Sequence, residues 1–186
     1  MRSMRRRAVL TALGAIAAIG LSASALAGVA HGYVNPIKPG RWIAGRIDMG
    51  VDYIATRRTG VVAIGDAQIM GAYRTSGWPG GHYLWYQLLN GDHRGDYIYV
   101  AEKLRKMKPA GTTVDAGQRI AVAKPGWPGT EWGWATRSGQ PRAAPCYSEG
   151  MKTHSGKEMA RFLASLGAEV ADKVRDGPDY PTGKRC

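Results

Sequence analysis

A chain of 186 residues, 44% of them hydrophobic, suits one domain around a single packed core. Its 26 Lys and Arg against 14 Asp and Glu give a formal net charge of +12, which favours anionic partners over cationic ones. Two cysteines exclude a disulfide-dense scaffold, and neither sits near a Cys or His at metal-ligand spacing.

In chain order, residues 1–27 read as a secretory signal peptide. Arg2, Arg5, Arg6 and Arg7 precede an apolar run from Ala8 to Leu21, and Ala25-Leu26-Ala27 forms a small-residue cleavage site. The run is shorter than the ~20 residues a membrane span needs, so no stable span is expected after cleavage. Arg6-Arg7-Ala8-Val9-Leu10 also resembles a twin-arginine signal, which keeps both export routes open. Removing four arginines leaves the rest clearly basic. Outside a bacterial cell such a surface meets anionic wall polymers or phospholipid head groups, and nucleic acid is not an expected partner. The expected location is secreted or cell-wall associated.

Residues 28–40 are Gly- and Pro-bearing without periodicity and read as an extended arm. From residue 41 to 137 short β-branched or aromatic runs alternate with glycine-bearing turns: Ile43 to Tyr53, Val61 to Ile64, Ala67 to Tyr73, His82 to Leu89, Asp96 to Glu102, and Arg119 to Val122. The pattern predicts a mainly β, antiparallel domain. Turn residues Asn90-Gly91-Asp92 and Arg94-Gly95-Asp96 make Tyr83–Leu89 and Tyr97–Ala101 hairpin partners; the Arg-Gly-Asp triplet is an ordinary turn. Alternation places Tyr97, Tyr99 and Ala101 on one face, and Ile98, Val100 and Glu102 on the other. Gly-Trp-Pro-Gly occurs at residues 77–80 and again at 126–129, each time ahead of further aromatic residues. Trp78, Trp127 and Trp132 are therefore candidate stacking residues for a sugar or peptide, against the plainer reading that Trp-Pro turns pack on the sheet rim.

Residues 138–186 form a C-terminal extension. Ser155-Gly156-Lys157-Glu158 has the capping-box form, with Met159, Phe162, Leu163 and Leu166 at helical spacing and Gly167 as a stop. Cys146 and Cys186 are expected to join in a disulfide, because an oxidising compartment holds a chain with only these two.

The succession G-V-D-Y, T-G-V-V-A-I-G-D-A-Q-I-M, Y-I-Y-V-A-E, V-D-A-G-Q-R-I-A and G-T-E-W-G-W, spread between Ile43 and Ala135, resembles the lysostaphin-type zinc endopeptidases of bacterial cell walls. That family is built on the duplicated hybrid motif, which the resemblance implies for residues 41–137. Part of the pattern also occurs in lipoyl- and biotin-carrier domains, but the carrier's modified-lysine motif is absent. In the active family a His and an Asp in H-x-x-x-D and the second His of H-x-H hold zinc, and a further His ends a strand. In this chain Asp48 stands in place of the first His and Asp52 matches the Asp. Glu102 stands where the strand His would be, and Glu131 and Gly133 stand where H-x-H would lie. His31, His82, His93 and His154 form no ligand spacing. Zinc favours nitrogen and sulfur donors, so neither a metal nor another cofactor is expected.

Asp48, Asp52, Glu102 and Glu131 are thus expected to share one cleft with Arg46 beside them. Four readings of that cleft follow. It grips peptidoglycan or another anionic wall polymer without cutting it; it hydrolyses glycan through a carboxylate pair; it holds calcium or magnesium on oxygen donors; or the acids form local salt bridges with Arg46. The first is preferred, because loss of the ligands is visible in the sequence and gain of a new mechanism is not.

Overall fold

The structure, a computed structural model, describes residues 32–78 and 80–170 and leaves the side chain of Cys146 undescribed. The expected signal peptide, the start of the arm, His31 and the Cys146–Cys186 pairing therefore lie outside the described residues. Among the described residues ten strands, a short 3-10 turn at Ala144–Cys146 and one α-helix occur: β1 Trp42–Ile47, β2 Val51–Ala55, β3 Thr59–Val62, β4 Ala67–Tyr73, β5 Tyr83–Leu88, β6 Tyr97–Ala101, β7 Leu104–Arg105, β8 Thr113–Val114, β9 Arg119–Ala123, β10 Thr130–Ala135 and α1 His154–Ser165. The mainly antiparallel architecture with one C-terminal helix agrees with the sequence reading. Among the described residues no helix is long and apolar enough to cross a membrane.

Seven strands form one sheet in the order β1-β2-β10-β6-β5-β4-β8, and β3-β9-β7 form a second. The β5–β6 hairpin forms as expected, with Tyr83 opposite Ala101 and Gln87 opposite Tyr97. Alternation along these strands separates two apolar faces. Leu84, Tyr86, Leu88, Ile98, Val100, Trp132 and Trp134 join the main core, with Val61, Leu104 and Ile120 of the small sheet and Met159 and Leu163 of the helix. Tyr83, Trp85, Tyr99, Ala101 and Ala135 face the other way and make a smaller aromatic cluster with Trp78, Met70 and Tyr97. That second face floors the site.

Three local expectations are corrected. The run Ile43–Tyr53 is not one strand but a hairpin, broken at Asp48-Met49-Gly50, because Asp48 accepts the Met49 backbone N–H (2.6 Å) and its own N–H donates to the Gly50 carbonyl (3.0 Å). The helix cap is Thr153, not Ser155: the Thr153 hydroxyl accepts the Gly156 N–H at 3.0 Å, and Glu158 pairs with His154 at 3.0 Å instead of closing a capping box. Glu102 does not share the core face of Ile98 and Val100. It lies just past β6 with φ +65°, which breaks the alternation and turns its side chain to the opposite side.

Candidate functional site

Arg46 is the centre of the site, and a strand irregularity puts it there. Ala44 pairs with Tyr53 and Ile47 with Val51, so Gly45 and Arg46 together oppose the single residue Asp52. A bulge of this kind re-aims a side chain. The Arg46 guanidinium bonds Asp48 Oδ2 at 2.9 Å, Asp52 Oδ2 at 2.9 Å and Glu149 Oε1 at 2.8 Å. Asp52 stands opposite Glu131 on β10, and Glu131 stands opposite Ala101 at the end of β6, so the sheet register gathers the acids. Glu102 follows Ala101 and is held by its N–H bond to the His82 carbonyl (2.9 Å).

All four expected carboxylates are buried. Asp48, Glu102, Glu131 and Arg46 line one cavity of about 890 Å³; Asp52 lies behind them and does not line it. Trp78 and Trp127 line the same cavity from the two Gly-Trp-Pro-Gly loops. Trp78 packs on Tyr83 and Tyr99, and Trp127 is 58% exposed with the Arg46 guanidinium 5.9 Å from its ring. Trp132 is not there. It is fully buried in the main core, edge-on to Trp42 and Tyr53, because on β10 it alternates with Glu131 and so points to the opposite face.

Residues outside the motif positions complete the site. Tyr99 donates its hydroxyl to Glu131 Oε1 in a very short bond. Its ring lies over Gly133, its cross-strand partner: a Cβ on Gly133 would fall 2.3 Å from the ring. Tyr147 donates to Asp48 and Glu149, each at 3.0 Å, and Thr153 donates its hydroxyl and backbone N–H to the Asp48 carbonyl at 2.8 and 2.9 Å. The Tyr99–Gly133 match is readable only once the β6–β10 register is known. Tyr147 and Glu149 sit in an irregular segment that carries no sequence signal.

Burial sets the protonation of the site. It raises Glu102 to about 7 against the pull of Arg46, and raises Asp48 against the same cation and the Tyr147 hydroxyl. Burial, with the charges of Asp48 and Glu102, pushes Asp52 to about 8 despite its Arg46 bond. Glu131 is driven well above the usual carboxylate range: it is buried, repelled by Asp48 and Asp52, and its one side-chain partner is the Tyr99 hydroxyl. The exposed Glu149 is lowered by its bond to Arg46. Two buried oxygens, Asp52 Oδ1 and Glu102 Oε2, have no partner among the described residues. The site therefore combines one guanidinium with buried carboxyls whose hold on protons is raised, Glu102 to about 7 and Asp52 to about 8.

Zinc, implied by the resemblance for the active family, does not fit these residues. Asp48 Oδ2 and Asp52 Oδ2 already bond a guanidinium, whose charge opposes a cation beside it. No imidazole lines the cavity, and the Tyr99 ring fills the space above Gly133. Among the described residues no three His, Cys, Asp or Glu side chains are grouped so as to hold an ion.

No family model matches the sequence, and no curated protein matches it. Among solved structures, the antimicrobial peptidase lysostaphin from Staphylococcus simulans aligns at TM-score 0.46 and 19% identity, over 74% of this chain and 56% of that one. A solution structure of lysostaphin aligns at TM-score 0.50 and 19% identity, over 83% of this chain and 61% of that one. The chain thus spans less than two thirds of the length of either. What the likeness to the solution structure establishes is the fold, a mainly antiparallel β-sheet domain of the lysostaphin kind with one C-terminal helix.

Proposed function

We propose that this is an exported domain that binds bacterial cell-wall material, peptidoglycan in the first place, without cutting it. The observation that carries the reading is Arg46, bonded at once to Asp48, Asp52 and Glu149 where the active family holds its metal. An internal cation there occupies Asp48 Oδ2 and Asp52 Oδ2, and its charge opposes a Lewis acid beside it. The lysostaphin-like fold and the resemblance between Ile43 and Ala135 support the wall setting. The cavity supplies the grip: Trp78 and Trp127 offer ring faces, and the Glu102 carboxyl, raised to about 7, donates to a peptide carbonyl when protonated and accepts from an amide when ionised.

Sedimentation with purified peptidoglycan at low and high salt tests this. Charge attraction alone fades as salt rises, whereas stacking and neutral hydrogen bonds leave a salt-resistant part. That part is expected to fall about tenfold in Trp127→Ala, a loss of ~1.4 kcal/mol. Salt-resistant binding indifferent to Trp78→Ala, Trp127→Ala and Glu131→Gln alike would remove the groove from the account. Protein prepared with added zinc is expected to carry far less than one equivalent by elemental analysis, and a stoichiometric, chelator-sensitive load would overturn the metal-free reading.

A second reading has one observation in its favour. Glu102 lines the cavity with a free buried oxygen and an acid constant near 7, which suits a general acid in glycan hydrolysis. Release of soluble muropeptides that disappears in Glu102→Gln would promote hydrolysis over binding.

A further inference from the structure

A second cavity, of about 730 Å³, shares no lining residue with the first. Arg58, Arg74, Arg105, Lys106 and Lys124 line it, together with His82. Met107 and Val122 complete the wall, and among the described residues no acid takes part. The cations come from separate parts of the chain: Arg58 enters β3, Arg74 leaves β4, Arg105 lies on β7, and Lys124 follows β9. The small sheet brings two of them together by register, since Arg105 pairs with Val122 and the Lys124 N–H bonds the Lys103 carbonyl at 2.9 Å.

Folding thus gathers five positive charges from distant positions, at a cost in mutual repulsion that a counter-charge would relieve. The protein does not supply it: among the described residues none of the five pairs with an acid, whereas Arg46 and Arg142 do. Lys106 also holds a left-handed backbone, φ +50°, where glycine would be easier, and keeps its charge at that position.

We propose that this groove binds a phosphodiester-bearing polymer, a polyol phosphate chain. Three guanidinium groups match tetrahedral phosphate oxygens by their forked geometry, and five cations exceed what one phosphate needs. Among the described residues the wall contains no Phe, Tyr or Trp and His82 is its one ring, so it offers far less stacking surface than a nucleobase- or sugar-binding groove. None of the large exposed apolar residues, Ile43, Tyr73, Leu89 and Trp127, lies in it, so nothing there inserts among lipid chains. A flexible chain of phosphates with small polar spacers satisfies all three conditions. The assignment stands on this groove alone and does not require the acidic cavity to bind peptide.

The test is titration of the mature protein with a poly(glycerol phosphate) chain at about 0.15 M salt, where long-range surface charge is screened. Arg58→Gln with Arg105→Gln is expected to weaken binding about tenfold and to lower the salt dependence by about two counter-ions. Arg41→Gln with Arg137→Gln, which removes the same charge from exposed positions elsewhere, is expected to change it less than about twofold. Equal losses in the two variants would overturn the groove. So would a single-stranded oligonucleotide or anionic phospholipid vesicles binding as tightly as the polymer, or inorganic phosphate competing as well per phosphate. The groove variant must still sediment with phosphate-free peptidoglycan as the unaltered protein does; a variant that loses polymer alone supports the assignment, and one that loses both overturns it.

Discussion

Gly133 and Tyr99 face each other across β10 and β6, and neither tolerates change alone. A methyl group at Gly133 would meet the Tyr99 ring and hydroxyl well inside contact distance. Gly133→Ala is expected to destabilise by ~1–3 kcal/mol, the usual range for overpacking, measured as a lowered urea midpoint at unchanged slope. Combined with Tyr99→Ala it should cost less than the sum of the two single changes, because the smaller side chain vacates the space the methyl group needs. Strict additivity would show that the ring is not what excludes the side chain. For the same reason Gly133→His is not expected to restore zinc binding. At this scale the sequence was informative about identity and poor on orientation. Asp48, Glu102 and Glu131 line one cavity with Asp52 outside its lining, and the face of Glu102 depends on a positive φ that no pattern of apolar residues signals. Trp132 fell in an aromatic run where composition alone does not tell the core face from the open one.

At the scale of the element, α1 and the segment before it belong to the site. Thr153 caps the helix and grips the Asp48 carbonyl, and a Cβ on Gly156 would lie 2.2 Å from that same oxygen. Thr153→Val keeps the shape and removes both hydroxyl bonds, so it is expected to cost ~1–2 kcal/mol by the scale of lost caps. It should also loosen Asp48, read as faster exchange of the Met49 and Gly50 amide protons, which the Asp48 carboxylate accepts. Loss of stability with no change at those two amides would make the cap a matter of the helix alone. The strands were legible because β-branched and aromatic runs between glycine turns have one physical meaning, and the β5–β6 pairing followed from its turn residues. The β1–β2 break was not, since Asp48-Met49-Gly50 interrupts a run of strand-forming residues with a turn held by one carboxylate. The cap was misplaced because Thr153 and Ser155 are both good caps, and contact with Asp48 decides between them.

For the whole molecule, buried acids govern how stability follows pH. Glu102 and Asp52, raised to about 7 and about 8, hold protons in the folded state that the unfolded chain has released above about pH 4. The folded state then binds more protons than the unfolded one, so stability falls as pH rises. The contribution is complete below about pH 4 and is lost as pH climbs through 7 to 8. Urea midpoints taken from pH 5 to pH 9 should decline, and Glu102→Gln, which cannot ionise, should flatten the decline. A midpoint that rises over that interval would mean that Arg46 keeps these groups ionised throughout. The overall architecture was the most legible level, because strand-forming runs between glycine-bearing turns specify an antiparallel sheet without fixing where any one side chain points.

Arg46 differs from a bound ion in one respect that reaches beyond the site. A dissociable cation leaves when its free concentration drops below its affinity, whereas a guanidinium on its own stem has an effective concentration that dilution leaves untouched. The groove therefore carries its counter-charge from synthesis onward. Its geometry is independent of metal supply, and a host or competitor that starves its surroundings of metal leaves it intact.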